Sequence, residues 1–391
     1  MKYIVVVGDG MADYPLEELR GKTPLQAAHK PNMDEIAANG RCGLLRTIPR
    51  GMEAGSDIAN LSILGYDPRK YYTGRGPLEA ANIGIKLGNS DLAFRCNLIT
   101  EENGAIKDYC ADHVTPEEAR ILIEEIKKIF KTEFYPGVSY RHLLVLRNAA
   151  VKLECTPPHD ALGRKISRCL IKPTENVIAK KLNQMMLDSR KILSEHPINL
   201  KRVKEGKNPA NMIWLWGQGK KPKMEPLKEK YNVSGAVISA VDLLKGIGVY
   251  AGMKVINVPG ATGYYDTNYE GKAGHALKAL EKKDYVYVHV ESIDEASHAG
   301  DVEMKIKTIE DFDRRLLGKL LDGLEGEYKI AVLPDHLTPI EVKTHTKEPV
   351  PFAIYFPGDK SDGVRKFDEA SAKKGSLGLI EGEEFMRLLL A

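Results

Sequence analysis

The sequence predicts an α/β protein, a sandwich in which helices cover both faces of a largely parallel sheet and a smaller α/β domain is inserted into the first. Three observations predict it. Continuous apolar runs of strand length recur along the chain, helical patterns alternate with them, and a central stretch breaks the habit of ending those runs in acids and histidines. Runs of that kind suit strands buried on both faces, and their alternation with helices gives a layered α/β core. The 391 residues also exceed one ordinary core, since a domain commonly takes ~100–200 residues.

Taken in order, Tyr3 to Val7 is a β-branched run followed by Gly-Asp-Gly, and Thr23 to Asn39 reads as a helix. Ile58 to Leu64 reads as a helix opening after Gly55-Ser56-Asp57. From about Leu87 to Lys221 the pattern changes. Ala93 to Leu98 and Leu143 to Leu146 look like strands and Pro116 to Lys131 like a helix, but no strand there ends in an Asp-His pair, so residues 87–221 read as the insertion. The first domain, 1–86 and 222–391, resumes with a helix at Gly271 to Lys282 and a strand at Tyr285 to Val290 that runs into Glu291, Ser292 and Asp294. A helix over Lys305 to Leu324 and strands at Ile330 to Leu333 and Phe352 to Phe356 complete it. In such sheets ligands gather beyond the carboxyl ends of the strands, which is where the acids and histidines of this chain fall.

Composition excludes several classes. The net charge of +3, from 57 basic and 54 acidic residues, is too small and too evenly mixed to argue for nucleic acid or a membrane surface. Lys220 to Lys230 reads as solvated surface. The cysteines, Cys42, Cys96, Cys110, Cys155 and Cys169, are odd in number and contain no CxxC, which argues against a disulfide framework and a Cys-based zinc site and for a cytoplasmic setting. The opening MKYIVVVGDG has too short an apolar run for a signal peptide, and no stretch approaches the ~20 apolar residues that cross a bilayer.

Chemistry-bearing residues converge. Asp294 and His298 are spaced four apart, so a helix carries both on one face about one turn apart. Asp335-His336 follows one strand and Asp9 another, and His345 lies in KTHT. Carboxylate and imidazole donors together suit Mn, Zn, Co or Mg. Each piece alone has a plainer explanation, since an acid after a strand is often a helix cap and a lone His is usually structural. Their shared position at the ends of strands in one sheet gives them weight. Ser56 by itself reads as a helix cap. The same geometry also offers helix amides and the positive end of the helix dipole to a phosphate.

GDGMAD, GSDIANLSILGYDP, YTGRGPLEA, LAFRCNL, VPGATG, DEASH, PDHLTP and HTKEPVPF occur in that order. In these motifs, which span essentially the whole chain, the sequence resembles the cofactor-independent phosphoglycerate mutases of the archaeal type, within the alkaline phosphatase superfamily. The resemblance implies an alkaline-phosphatase-like three-layer sandwich and Ser56 as the phosphorylated nucleophile. It implies one ion on Asp9, Ser56, Asp335 and His336 and a second on Asp294, His298 and His345, with Mn or Mg favoured and Co or Zn as alternatives. The implied reaction moves the phosphoryl group of 3-phosphoglycerate to Ser56 and back to the 2-hydroxyl. The inserted domain would bind the small phosphorylated substrate and exclude water, which would otherwise hydrolyse phosphoserine.

For the substrate's anionic groups the cationic candidates are Arg75, Arg95, Arg141 and Arg202, whose forks match carboxylate and phosphate. His113 and His159-Asp160 are further polar positions of the inserted domain. Trp214 and Trp216 alternate as on a strand and read as core. The chain departs from its relatives in places. Asn60 stands where His is common, and His113 where Arg is common. FYPGVSYRH and NPANMIWLWGQG resemble a sub-branch proposed to phosphorylate homoserine. A homoserine kinase is therefore the alternative reading of the acceptor, and a phosphatase or phosphodiesterase of the same superfamily a third.

Overall fold

A computed structural model of the chain describes residues 1–149 and 151–391. It divides into two compact units, Met1–Tyr72 with Lys223–Ala391, and Thr73–Pro222. The second unit begins earlier than Leu87 because the helix Arg75–Asn82 packs on the strand that follows it, so closely that a Cβ at Gly76 would lie 2.4 Å from the Ala93 carbonyl oxygen.

The strands, in chain order, are β1 (Lys2–Gly8), β2 (Arg41–Arg46), β3 (Leu92–Glu102), β4 (Ala105–Asp108), β5 (Glu133–Tyr135), β6 (Arg141–Leu146) and β7 (Met212–Gly219). They continue with β8 (Gly235–Ile238), β9 (Lys254–Ile256), β10 (Tyr285–Val290), β11 (Tyr328–Leu333), β12 (Val350–Tyr355) and β13 (Leu379–Glu381). The first unit holds an eight-stranded sheet in the order β13-β2-β12-β11-β1-β10-β8-β9. β1 lies between β10 and β11, parallel to both, and Ile4 to Val7 are fully buried. That two-sided burial is why the run carries no polar alternation. The sheet is mixed rather than wholly parallel, because β12 runs antiparallel to β11 and β2. No crossover helix separates β11 from β12, and a parallel return generally needs one.

The register matters for function. Gly8 pairs with Val290, and Val7 with Leu333, so the segments that follow β1, β10 and β11 leave the sheet side by side at one edge. Two of the predicted helices differ in detail. Thr23 to Asn39 forms two, Pro24–Ala27 and Pro31–Asn39, because Pro31 keeps Lys30 out of helical conformation (φ −137°, ψ 60°). Lys305 to Leu324 falls in three consecutive pieces, Val302–Asp311, the π-helical turns Phe312–Gly318, and Lys319–Gly323, after which Leu324 is extended.

The second unit is built differently. β3 is its central strand and pairs antiparallel with β4, β6 and β7, while β5 borders β6. Phe94, Cys96 and Leu98 enter a core with residues of the helices Pro116–Phe130 and Val177–Ser194, and Arg95 and Asn97 alternate between them. All five cysteines are free. Among the described residues no helix is long and apolar enough to cross a membrane.

Candidate functional site

The edge shared by β1, β10 and β11 collects acids and imidazoles. Asp9 follows β1, and Asp335 and His336 follow β11. The helix Ser292–Ala299 carries Asp294 and His298 one turn apart, with His298 Nε2 3.1 Å from Asp294 Oδ2. The loop after β11 brings in His345, whose Nε2 is 3.0 Å from His298 Nε2 and 3.5 Å from Asp294 Oδ2. The His345 ring stacks on that of His336, centroids 4.0 Å apart. Three sets of donor atoms each lie within 4.8 Å of one another, and they comprise Asp294, His298 and His345, then Asp9, Asp294 and His336, then Asp9, His289 and Asp335.

Ser56 opens the helix Ser56–Ile63, and the N-cap is Gly55. The plain cap role therefore goes to the glycine. The Ser56 hydroxyl instead lies 3.2 Å from His336 Nε2, half-buried at the helix's positive end. Asn60, one turn on, donates from Nδ2 to Asp335 Oδ2 (2.8 Å) and to the Ser56 carbonyl (2.8 Å), and the Tyr287 hydroxyl donates to Asn60 Oδ1. Asn60 thus ties the helix that Ser56 opens to a strand-end acid.

His289 is a site residue that the sequence reading missed. It is fully buried within β10, its Nε2 3.3 Å from Asp9 Oδ2 and 3.7 Å from Asp335 Oδ2. The available signal was a lone imidazole inside an otherwise apolar buried strand, YVYVHV.

The donor set fits a divalent cation. Asp9 Oδ1 and both ring nitrogens of His289 are buried and make no hydrogen bond, and an unpaired buried polar atom is costly. Burial, then the neighbouring Asp335 and Asp294 carboxylates, hold the Asp9 acid well above its usual range. A cation offsets both effects. Burial keeps His289 and His336 below the usual imidazole range, hence neutral as a ligand must be. Burial would raise Asp294, but hydrogen bonds from His298 and His345 outweigh it and hold it low. His298, in turn, is raised to about 9 by Asp294.

In the second unit four of the five predicted substrate residues come together. Arg95 is buried on β3 and lies directly opposite Trp216 on β7, its guanidinium 4.4 Å from that ring's centroid. Arg75 approaches the same ring at 5.8 Å. Arg141, paired with Asn97, stands beside Tyr140, whose ring also meets His113 at 5.8 Å. His159 meets Trp216 edge-on at 5.3 Å. Glu79 lies 3.2 Å from Arg95. Burial lowers the Arg95 pKa, Glu79 raises it, and Arg75 and Arg141 lower it further, so the guanidiniums repel one another. Trp214 is buried and donates to the Thr156 carbonyl, and Trp216 donates to Asn97 Oδ1.

Arg202 is the exception. It is 3% exposed, and its three nitrogens donate to Asn208 O (2.9 Å), Glu118 Oε2 (2.7 Å) and Ala111 O (2.6 Å). A guanidinium so engaged braces the unit and has no fork left for a substrate. As a sequence position it offered the same fork as Arg75, Arg95 and Arg141, and nothing local showed that its partners lie within the unit.

A relative in Methanosarcina barkeri named 2,3-bisphosphoglycerate-independent phosphoglycerate mutase is 55% identical, over 100% of this chain and 99% of its own. The chain belongs to the 2,3-bisphosphoglycerate-independent phosphoglycerate mutases. The profile of that mutase family matches residues 37–199. Two solved structures are similar over all of this chain. One is a Pyrococcus horikoshii protein, 34% identical with a TM-score of 0.86 over 96% of its length. The other is the cofactor-independent phosphoglycerate mutase of Thermoplasma acidophilum, 30% identical with a TM-score of 0.66 over 99%.

Proposed function

We propose that this mutase interconverts 3-phosphoglycerate and 2-phosphoglycerate without bisphosphoglycerate, through a phosphoserine on Ser56. The observation that carries the reading is the Ser56 hydroxyl at a helix N-terminus, 3.2 Å from His336 and beside clustered carboxylates and imidazoles, in a chain of this family. Ser56 Oγ attacks the phosphorus of the 3-phosphoester as the bond to the 3-oxygen breaks. The serine's proton ends on that oxygen. Glycerate reorients, its 2-hydroxyl attacks phosphoserine, and Ser56 regains a proton.

Two divalent cations, Mn or Mg, would be held by Asp9, Ser56, Asp335 and His336 and by Asp294, His298 and His345, with His289 beside the first set. When bound they supply positive charge to the attacking and leaving oxygens of an in-line displacement. The chain's residues do the rest. Helix amides at Ser56 face the incoming phosphoryl group. Arg75, Arg95 and Arg141, with His113 and His159, bind the substrate's carboxylate and phosphate, and the Trp216 ring, 4.4 Å from the Arg95 guanidinium, holds that cation in place. A cytoplasmic setting is supported by five free thiols. The mutase name of the full-length relative weighs against the homoserine-kinase reading of Asn60 and His113.

The test is incubation with 3-phosphoglycerate and Mn or Mg, bisphosphoglycerate omitted, followed through enolase, with the Ser56 peptide examined for phosphate. Product together with a phosphorylated Ser56 is expected. Absence of product under every metal, or ADP release that depends on homoserine, would remove the reading.

A further inference from the structure

Thr338 lies five residues past the end of β11, three past Asp335, and is fully buried. Every polar group it has is engaged. Its amide donates to the Ala12 carbonyl at 3.3 Å, and its own carbonyl accepts from Lys305 Nζ at 3.0 Å. Lys305 also holds Asp13 at 2.8 Å, so the segments after β1 and β11 are locked together behind Thr338. Its hydroxyl donates to Asp294 Oδ1 at 2.5 Å and meets His336 Nδ1 at 3.2 Å. The packing is close enough that Gly10 must lack a side chain, since its φ is +61° and a Cβ there would sit 2.4 Å from Asp294 Oδ1 and 2.6 Å from Thr338 Oγ1.

A hydroxyl has one proton, and a carboxylate has none to return. Once that proton is given to Asp294, only lone pairs remain on Oγ1 for His336. The contact at Nδ1 is then favourable only if Nδ1 carries the ring's hydrogen. The geometry points to Thr338 as a positioning residue that fixes His336 as the Nδ1–H tautomer, leaving Nε2 bare for a cation. This inference rests on the metal centre proposed above. Nε2 faces Asp9 Oδ1 at 3.3 Å and Ser56 Oγ at 3.2 Å. A bare nitrogen and a carboxylate oxygen repel each other unless a cation or a proton lies between them. The opposite tautomer would satisfy Asp9 but leave Nδ1 without a donor and Nε2 unable to ligate. Thr338 also touches Asp294, so one hydroxyl orders a ligand from each proposed ion site, as partners behind metal ligands commonly do.

The test uses the metal-free, 15N-labelled full chain and long-range proton–nitrogen correlation of the histidine rings. His336 is expected as Nδ1–H in the wild type and in Thr338→Ser, and to lose that tautomer in Thr338→Val. Calorimetric Mn affinity is expected to fall ~10–100-fold in Thr338→Val and to be largely rescued in Thr338→Ser. A wild-type His336 protonated at Nε2 overturns the inference, as does Thr338→Val binding Mn like the wild type. If Thr338→Val does not fold, the wild-type spectrum and the Ser variant decide. The tautomer is read without substrate, so a protein that shows Nδ1–H but lacks mutase activity supports this inference while removing the reading of function.

Discussion

The two units use their sheets in different ways. In the first, parallel strands β1, β10 and β11 end in register, and the candidate metal ligands Asp9, Asp294, Asp335 and His336 sit just beyond them. In the second, antiparallel strands carry polar side chains along one face, with Arg95, Asn97 and Arg141 set among Trp214 and Trp216. A parallel edge gathers short acids and imidazoles from distant parts of the chain at ligand distance of one another. A strand face spaces long side chains across neighbouring strands, and the cations that result lie against aromatic rings. The first arrangement suits compact cations and a nucleophile, the second a small organic anion.

The contrast is sharpest at Ser56. Ser56→Ala is expected to lower mutase turnover by roughly 10⁴-fold or more while metal content by elemental analysis stays near that of the wild type. Loss of metal together with turnover would instead make holding the ion, rather than carrying the phosphoryl group, the main task of Ser56. A smaller effect is expected on the strand face. Arg95→Ala should reduce kcat/KM ~10–100-fold, the scale of one lost charge-assisted contact, with Mn affinity unchanged. If metal affinity fell with it, the assignment of separate tasks to the two units would fail.

Arg202→Ala probes the same unit with the opposite signature. Removing it leaves the Ala111 and Asn208 carbonyls without their donor and Glu118 without its cationic partner, so chemical denaturation should show a loss of about 2 kcal/mol. KM for 3-phosphoglycerate should barely move. The mildest effect concerns His298, raised to about 9 by Asp294. A group raised in the folded state stabilises it fully below its unfolded pKa and ceases to do so as pH passes the folded value. Metal-free protein should therefore lose stability between about pH 6.5 and 9, on the order of 1 kcal/mol once screening at its 36% exposed side chain is discounted. His298→Gln should flatten that slope, measured by thermal unfolding across the range.

Much of this was legible in residue order. The runs at Tyr3, Tyr285 and Ile330 became β1, β10 and β11 because continuous apolar stretches have few alternatives to a doubly covered strand. Asp294 and His298 share a helix face because four residues make about one turn. His289 was not legible, because a histidine in a buried strand shows its partners only when the strands beside it are known. Arg202 was misread for a related reason, since its carbonyl and carboxylate partners lie from six to about ninety positions away.

The sequence by itself determined the strand and helix types, the acids and histidines at strand ends, and Ser56 at the start of a helix. Those follow from periodicity and local backbone preference, which act over a few residues. Only the tertiary structure decided that Gly55 and not Ser56 caps that helix while the serine hydroxyl turns to His336. It also decided that Thr338 links His336 to Asp294, and that Arg95 and Arg202 have different work. Hydrogen-bond partners and burial depend on which distant segments the register of a sheet brings together, and no local pattern encodes them.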